Sequence, residues 1–362
     1  MAIRTFSGSL IFTILALAAA FWFGGPTMLA LVAILAVLEI SLSFDNAVIN
    51  AGVLSRMSVF WQKIFLTIGI AIAVFGMRLV FPFVLVSASA GISPAAVVDL
   101  AINDPETYKN ELLAAHPAIA AFGGIFLLMI FLDFVFEERE ISWLAPIEKA
   151  LGKVGKLDQL SVVIALGALL LVAETLAPDP VTVLVAGMLG LLTYLLVNGL
   201  GELFSNKAED EEEAQPSTAG AKNGVALAVG KQAFFLFLYL EVLDASFSFD
   251  GVVGAFAVTS DPFVIALGLG VGAMYVRSLT VYLVNKGTLQ EYVYLEHGAH
   301  WAIGALAVIL MITMKYHLNE IITGLSGVVC IAAAFISSVV RNRRLAAAQA
   351  ADDDPDRELV SA

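Results

Sequence analysis

The chain of 362 residues has one cysteine, four histidines and few charges. A single cysteine, Cys330, can make neither an internal disulfide nor a thiolate cage for a metal. It lies in an apolar segment and reads as a small buried hydrophobe. Charged residues are 14% of the chain, against about 25% in soluble domains. Basic residues are scarcer still, 19 against 32 acidic ones, for a net charge of −13. That leaves no cationic footprint for nucleic acid. There is no histidine pair, activated-nucleophile pattern or metallopeptidase motif, so an enzyme is not expected. What is abundant is apolar surface. Hydrophobic residues are 60% of the sequence and the mean hydropathy is +0.91. A soluble fold of this size must show much of its surface to water and cannot hide that excess. The composition describes a multi-pass protein whose solvent is the lipid bilayer.

A bilayer core of about 30 Å takes roughly 20 apolar residues per helix. Read at that length, the sequence predicts an all-α fold of about ten transmembrane helices, at 8–24, 28–52, 64–87, 117–136, 159–176, 180–199, 232–257, 262–285, 299–314 and 318–340. Lipid offers no partner for backbone N–H and C=O groups, so each span is helical. The first span has a basic start at Arg4, but Phe21-Trp22-Phe23 stands where a signal peptidase needs small residues, so a retained helix is expected. With the N-terminus inside, fifteen of the nineteen Lys and Arg fall on the cytoplasmic side, two (Lys109 and Lys315) outside, and two (Arg78 and Arg277) within spans. Both termini are then cytoplasmic. The organisation expected is a membrane half over 1–200, an acidic flexible linker over 201–222, a second membrane half over 223–340 and a cytoplasmic tail over 341–362. Trp143–Lys156 reads as an interfacial amphipathic helix. Asp261-Pro262 reads as a helix start, with Asp at the N-cap and Pro at the first position.

A motif occurs twice. Glu39-Ile40-Ser41-Leu42-Ser43-Phe44-Asp45-Asn46 lies in the second span, and Asp244-Ala245-Ser246-Phe247-Ser248-Phe249-Asp250-Gly251 in the seventh. Acid, Ser, Ser, Phe and Asp match in register. Each motif is followed by a span with one arginine, Arg78 or Arg277, and then by a connection containing histidine. The motif spans are five apart in the order, an odd number, so the two three-helix units, spans 2–4 and 7–9, run in opposite senses. Inverted repeats with polar helices at the midplane are a signature of secondary transporters.

A carboxylate within a transmembrane helix costs at least about 2.5–3.5 kcal/mol. Five lie near the middle of these two helices: Glu39, Asp45, Glu241, Asp244 and Asp250. Helical spacing puts Glu39, Ser43 and Asn46 on one stripe, and Glu241, Asp244, Ser248 and Gly251 on another. Asp45 and Asp250 fall off those stripes, so either they serve a second face or the helix breaks at Asp45-Asn46 and Asp250-Gly251. The donors are carboxylate, hydroxyl and amide, without Cys or His, which suits hard cations such as Mg²⁺, Ca²⁺ and Mn²⁺. When the cation leaves, crowded carboxylates take up protons, giving a route to metal–proton exchange. Arg78 and Arg277 are either counter-charges or gates for this site, or structural partners of nearby acids. Asp133, beside Glu137 and Glu138, reads as an interfacial acid, with a ligand role as the alternative.

The two motifs resemble the signatures of the TerC-like integral membrane proteins. The stretch from Glu241 through Asp250 to Asp261-Pro262-Phe263 is similar to the second signature, and the long chain looks most like the DUF475 branch, within the LysE-type exporters. The resemblance implies an inner-membrane protein of bacteria that exports Mn²⁺, in a family named for tellurium resistance. It places the cation site on Glu39, Asp45, Asn46, Glu241, Asp244 and Asp250. Gly251 and Gly254 depart from the family pattern, which has Ser and Pro there. The expected partners are divalent cations, protons and the bilayer, with no resident cofactor. The competing expectation is a non-transporting scaffold of a metal- or tellurite-stress complex, docked through the acidic linker and tail.

Overall fold

The computed structural model describes residues 2–155, 157, 159–214, 227–255, 258–259, 261–287, 291–316, 318 and 320–352; within these, the side chains at 2–4, 41, 42, 44, 45, 85, 88, 89, 201–214, 249, 250, 253, 254, 320–324 and 348–352 are outside the description. The first helices are α1 (Ala2–Leu42), α2 (Phe44–Leu54) and α3 (Val59–Ile64). The last of these continues through two π-helical segments, Phe65–Gly69 and Ile72–Val80, into α4 (Phe81–Ala90). Next come α5 (Pro94–Asn103), α6 (Pro105–Phe136), α7 (Ala145–Val154), α8 (Leu160–Thr175) and α9 (Pro180–Ala214). The second half comprises α10 (Gly230–Ala255), α11 (Pro262–Lys286), α12 (Leu295–Thr313) and α13 (Glu320–Asp352). Among the described residues there is no strand, only an isolated bridge between Met57 and Ala228.

Seven of these helices are long and apolar enough to cross a membrane, and the chain is a multi-pass membrane protein. Where they are described, all ten expected stretches are largely helical, but three differences reduce the count. The first two form one 36-residue run, Thr5–Ile40; Leu160–Thr175 has only 16 residues; and α10, which carries the second motif, is not among the seven. The long run is interrupted. Gly25 has φ 65° and ψ −159°, a conformation closed to residues with a β-carbon, and Pro26 restarts the helix. Its two arms fold onto the same stretch of α11. Ser9 meets Met274 O at 2.9 Å and Ser278 Oγ at 2.6 Å, while Glu39 lies against Gly272 and Leu35 against Gly268. Ala16 and Ala36, one from each arm, share a small core with Val271.

Burial sorts the helices into a centre and a shell. In α6 and α11, 72% of the apolar window is buried, and in α12 61%. In Thr5–Ile40, Pro180–Leu200 and Leu325–Ala347 the share is 17–28%. The shell turns Ile14, Leu15, Leu170, Leu171, Val181 and Ile336 outward. Against water, such surface costs roughly 25 cal/mol per Å²; against lipid tails it costs nothing. Trp22 and Phe23, beside the Gly25 turn, are exposed aromatics suited to the membrane interface.

Connections segregate to two ends. At one, Ser58 N–H donates to Ala228 O at 3.0 Å, Arg56 and Arg139 reach Glu296, and Asn342 Nδ2 donates to Glu291 O. At the other, Lys315 Nζ donates to Thr175 O at 2.8 Å. Asp261 starts α11 as expected, its carboxylate accepting from the N–H groups of Phe263 and Val264. The expected amphipathic helix forms as α7. Two expectations need revision. α9 runs on to Ala214, so the first part of the expected linker is helical, as its Ala, Glu and Lys content favours; residues 215–222 lie outside the described residues. Cys330 is half-buried rather than buried, at a shell position of α13.

Candidate functional site

The two motif helices meet. Asn46 Nδ2 on α2 donates to Asp244 Oδ1 on α10 at 2.8 Å. Seven residues back along the first motif, Glu39 lies against Gly251 of the second, where a β-carbon at 251 would sit 2.9 Å from Glu39 Oε2. Residue number rises along one segment as it falls along the other, so the segments run antiparallel. In the aligned motifs Glu39 corresponds to Asp244, and Asn46 to Gly251. The two contacts are therefore one contact made twice, the acid of each motif facing the position seven residues past the acid of the other. Where that position is Asn46, a short aspartate receives its amide. Where it is Gly251, the longer glutamate fills the space.

Each acid also meets the arginine of its own half. Arg78 Nη2 donates to Glu39 Oε1 at 2.7 Å and Nη1 to Ala73 O at 2.6 Å. Arg277 donates from Nη1 to Glu241 Oε1 at 3.0 Å and from Nη2 to Asp244 Oδ2 at 3.1 Å and Glu241 Oε2 at 3.3 Å. Its guanidinium carbon stands 3.9 Å from the centre of the Phe65 ring. All five side chains are buried, Arg277 to 1% exposure. Ion pairs this dry persist only when their hydrogen bonds are supplied, and removing one partner strands the other.

The π-helical segments position both arginines. Phe65–Gly69 cradles Arg277, with Phe65 under the guanidinium and Gly69 beside it, where a β-carbon would fall 2.5 Å from Nη1. Ile72–Val80 carries Arg78 and the carbonyl of Ala73 that it binds. Widened turns of this kind inside α-helices are frequent at functional sites. On the opposite side Gly272 makes room for Glu39, since a β-carbon there would lie 2.2 Å from Glu39 Cγ.

The expected residues are thus placed as follows. Glu39, Asn46, Glu241, Asp244, Arg78 and Arg277 come together at the contact between the halves. Ser248 is buried, and its Oγ has no hydrogen-bond partner among the described residues. Ser43 is half-buried and makes no capping bond. The side chains of Asp45 and Asp250 lie outside the described residues. The expected helix breaks are corrected. The first falls at Ser43 (φ −102°, ψ 21°), two residues early, and is a kink rather than an unwinding. Ser43 N–H still donates to Glu39 O at 3.0 Å, and Ser43 O still accepts from Ala47 N–H at 3.3 Å. The second does not occur: α10 runs through Asp250-Gly251 to Ala255. A lone glycine weakens a helix by about 1 kcal/mol but does not end one that is packed on both sides.

The family model for DUF475, a protein family of unknown function, matches residues 44–345. The chain belongs to the DUF475 family. The matched region contains the second motif, both arginines and Asp45-Asn46 of the first. No curated protein and no solved structure matches the chain.

Two features of this DUF475 chain, Asn50 and Glu148, escaped the sequence reading, and the surroundings of a third, Asp133, differ from those expected. Asn50, one turn beyond Asn46, is fully buried, and neither amide atom has a partner among the described residues. Glu148 on α7 is buried, accepting from Trp143 N–H at 2.9 Å and Trp301 Nε1–H at 3.1 Å, with His297 Nδ1 at 3.1 Å. Asp133 is half-buried, its Oδ2 accepting from the Tyr194 hydroxyl at 2.6 Å. The signal for Glu148 was present, an acid amid the apolar positions of a short amphipathic stretch. Asn50 carried none beyond its place in an apolar run. Among the described residues no three His, Cys, Asp or Glu side chains form a ready metal cage. The three described carboxyl groups of the joint are held by two guanidinium groups instead.

Proposed function

We propose that this protein is a divalent-cation transporter, exporting Mn²⁺ in exchange for protons. The observation that carries this reading is the buried joint where Glu39–Arg78 and Glu241/Asp244–Arg277 meet through Asn46. Oxygen donors from both halves converge there, in a protein whose solvent is lipid. Intramembrane ionisable groups of this cost are retained for ion pathways. The arginines stand in for the cargo. Each guanidinium satisfies carboxylates that a hard cation would otherwise satisfy, so loading requires an arginine to release its acid. Asp45 and Asp250 complete the donor set in this reading, with Ser43 and Ser248 supplying hydroxyls. Proton uptake by the emptied carboxylates provides the exchange.

The antiparallel meeting of the motifs supports inverted repeats, spans 2–4 against spans 7–9. The fold-back at Gly25 and the segregation of connections to two ends support ten crossings with both termini on the cytoplasmic side of a bacterial inner membrane. Such a device alternates access by rocking one repeat against the other. The TerC-like resemblance favours Mn²⁺ among hard cations and places the chain with LysE-type exporters and tellurium resistance.

The test is Mn²⁺, Ca²⁺, Mg²⁺ and Zn²⁺ flux into proteoliposomes with an internal pH dye. Saturable Mn²⁺ movement with a linked pH change, lost in Asp244→Asn, Asp45→Asn and Asp250→Asn, is the expected result. Folded, reconstituted wild-type protein that moves none of these ions would overturn the proposal.

A further inference from the structure

A cavity of about 950 Å³ opens between the two halves at the end where Arg56, Arg139, Ala228 and Glu296 gather. Val48, Ile49 and Gly52 of α2 line one wall, and Asp133 of α6 with Tyr194 of α9 line another. The cations of this cavity are already engaged. Arg56 Nη2 lies 3.6 Å from Glu296, while Arg139 reaches Glu137 at 2.5 Å and Glu296 at 4.0 Å. Asp133 differs. Among the described residues it has no cationic partner, and the Tyr194 hydroxyl donates to its Oδ2 at 2.6 Å. A half-buried carboxylate with a single neutral donor is under-compensated. Its other oxygen is left to whatever fills the cavity.

We infer that Asp133 is a cation-binding site of its own, taking a hydrated divalent ion before that ion reaches the buried joint. The chemistry fits a hard cation that keeps most of its water and is held through one carboxylate. At about 30 Å³ per water, a six-water shell occupies roughly 180 Å³, well within the cavity. The acid lines the cavity, and Tyr194, which lines it too, fixes one of its two oxygens. The route inward is short. Ile49 lines the cavity, and three residues along the same helix Asn46 binds Asp244, a rise of about 4.5 Å. The inference rests on the transport reading for its place in a pathway, but the binding itself does not.

The experiment is a Mn²⁺ titration followed by electron paramagnetic resonance on the full chain in nanodiscs, paired with Mn²⁺ flux in proteoliposomes. Asp133→Asn is expected to lose one Mn²⁺ equivalent. In flux it raises the half-saturating Mn²⁺ about five- to tenfold, with little change in the maximal rate. Tyr194→Phe keeps the equivalent but binds it several-fold more weakly. An Asp133→Asn protein that is monodisperse, with unchanged stoichiometry and half-saturation, would overturn the inference. If Asp133→Asn does not fold, an unchanged Mn²⁺ affinity in Tyr194→Phe would overturn it equally. Loss of the equivalent in Asp133→Asn while wild type moves no ion would leave the binding site standing and remove the transport reading alone.

Discussion

Asn46 and Asp244, 198 positions apart in the chain, share a 2.8 Å hydrogen bond that joins the two halves of the molecule. The same Asp244 also holds Arg277, so the contact between halves and the ion pair within one half are a single network. Nothing in the bilayer interior can replace a lost member of it.

Arg277→Met tests that network. It leaves Glu241 and Asp244 buried without their ion-pair partner, a change that costs about 3–5 kcal/mol in dry sites. The detergent-solubilised variant is expected to lose its sharp thermal transition or to melt well below wild type. Adding Glu241→Gln removes one stranded charge and should recover part of the loss. A single Arg277→Met protein that melts with wild type would show that the pairs are not structural.

Glu39 and Gly251 offer a swap. Gly251→Asn alone puts a β-carbon about 2.9 Å from the Glu39 carboxylate and should destabilise the protein. Glu39→Asp alone withdraws the acid by one methylene, leaving a gap and a stretched pair with Arg78. Together they recreate at the second contact the Asp–Asn pair already present at the first. The double variant is expected to be more stable than the two single effects sum to, by about 0.5–3 kcal/mol in a double-mutant cycle. Additive effects would refute the correspondence of the two contacts.

The elements of this site were legible because they are local. Apolar runs of span length, acids within them and one arginine per half can be read from the chain in order, as can Asp261-Pro262 as a helix start. What was not legible depends on packing between distant segments. The bend at Ser43 is chosen by where α1 and α2 must lie on α11, and not by Asn46's tolerance of unusual backbone. Gly251 looked like a breaker, but its space is used by Glu39 from the other half. Asp133 looked interfacial beside Glu137 and Glu138, and only the cavity against α2 and α9 gives it a separate environment. The span count came out lower by length and apolarity because α8 is short, the first two stretches join through Gly25, and α10, with its buried acids, is not among the seven.

Gly69 and Gly167 predict opposite outcomes for one substitution. A β-carbon on Gly69 would fall 2.5 Å from Arg277 Nη1 and 2.8 Å from Glu241 Oε1. Gly69→Ala should therefore displace the guanidinium, lower thermal stability and impair any activity of the joint. A β-carbon on Gly167, within α8, meets nothing within 4 Å. Gly167→Ala should stabilise by about 0.5–1 kcal/mol through helix propensity. Equal effects of the two in thermal melts would contradict the placement of Arg277.

Asn50 separates structural from functional polarity. Its amide is fully buried with neither atom partnered among the described residues, a condition that costs about 1–3 kcal/mol for each group left unsatisfied. Leucine has the same number of side-chain heavy atoms, branched at the same carbon, and no polar atom. If the amide served only packing, Asn50→Leu would raise stability and leave everything else unchanged. In the transporter reading, the amide, one turn beyond Asn46, serves water or cargo on its way to Asp244. Asn50→Leu is then expected to melt at or above wild type while Mn²⁺ flux falls by at least about tenfold, a loss of about 1.4 kcal/mol or more in barrier terms. The paired measurement is a thermal melt and a flux assay on the same preparation. Raised stability with undiminished flux would remove Asn50 from the pathway.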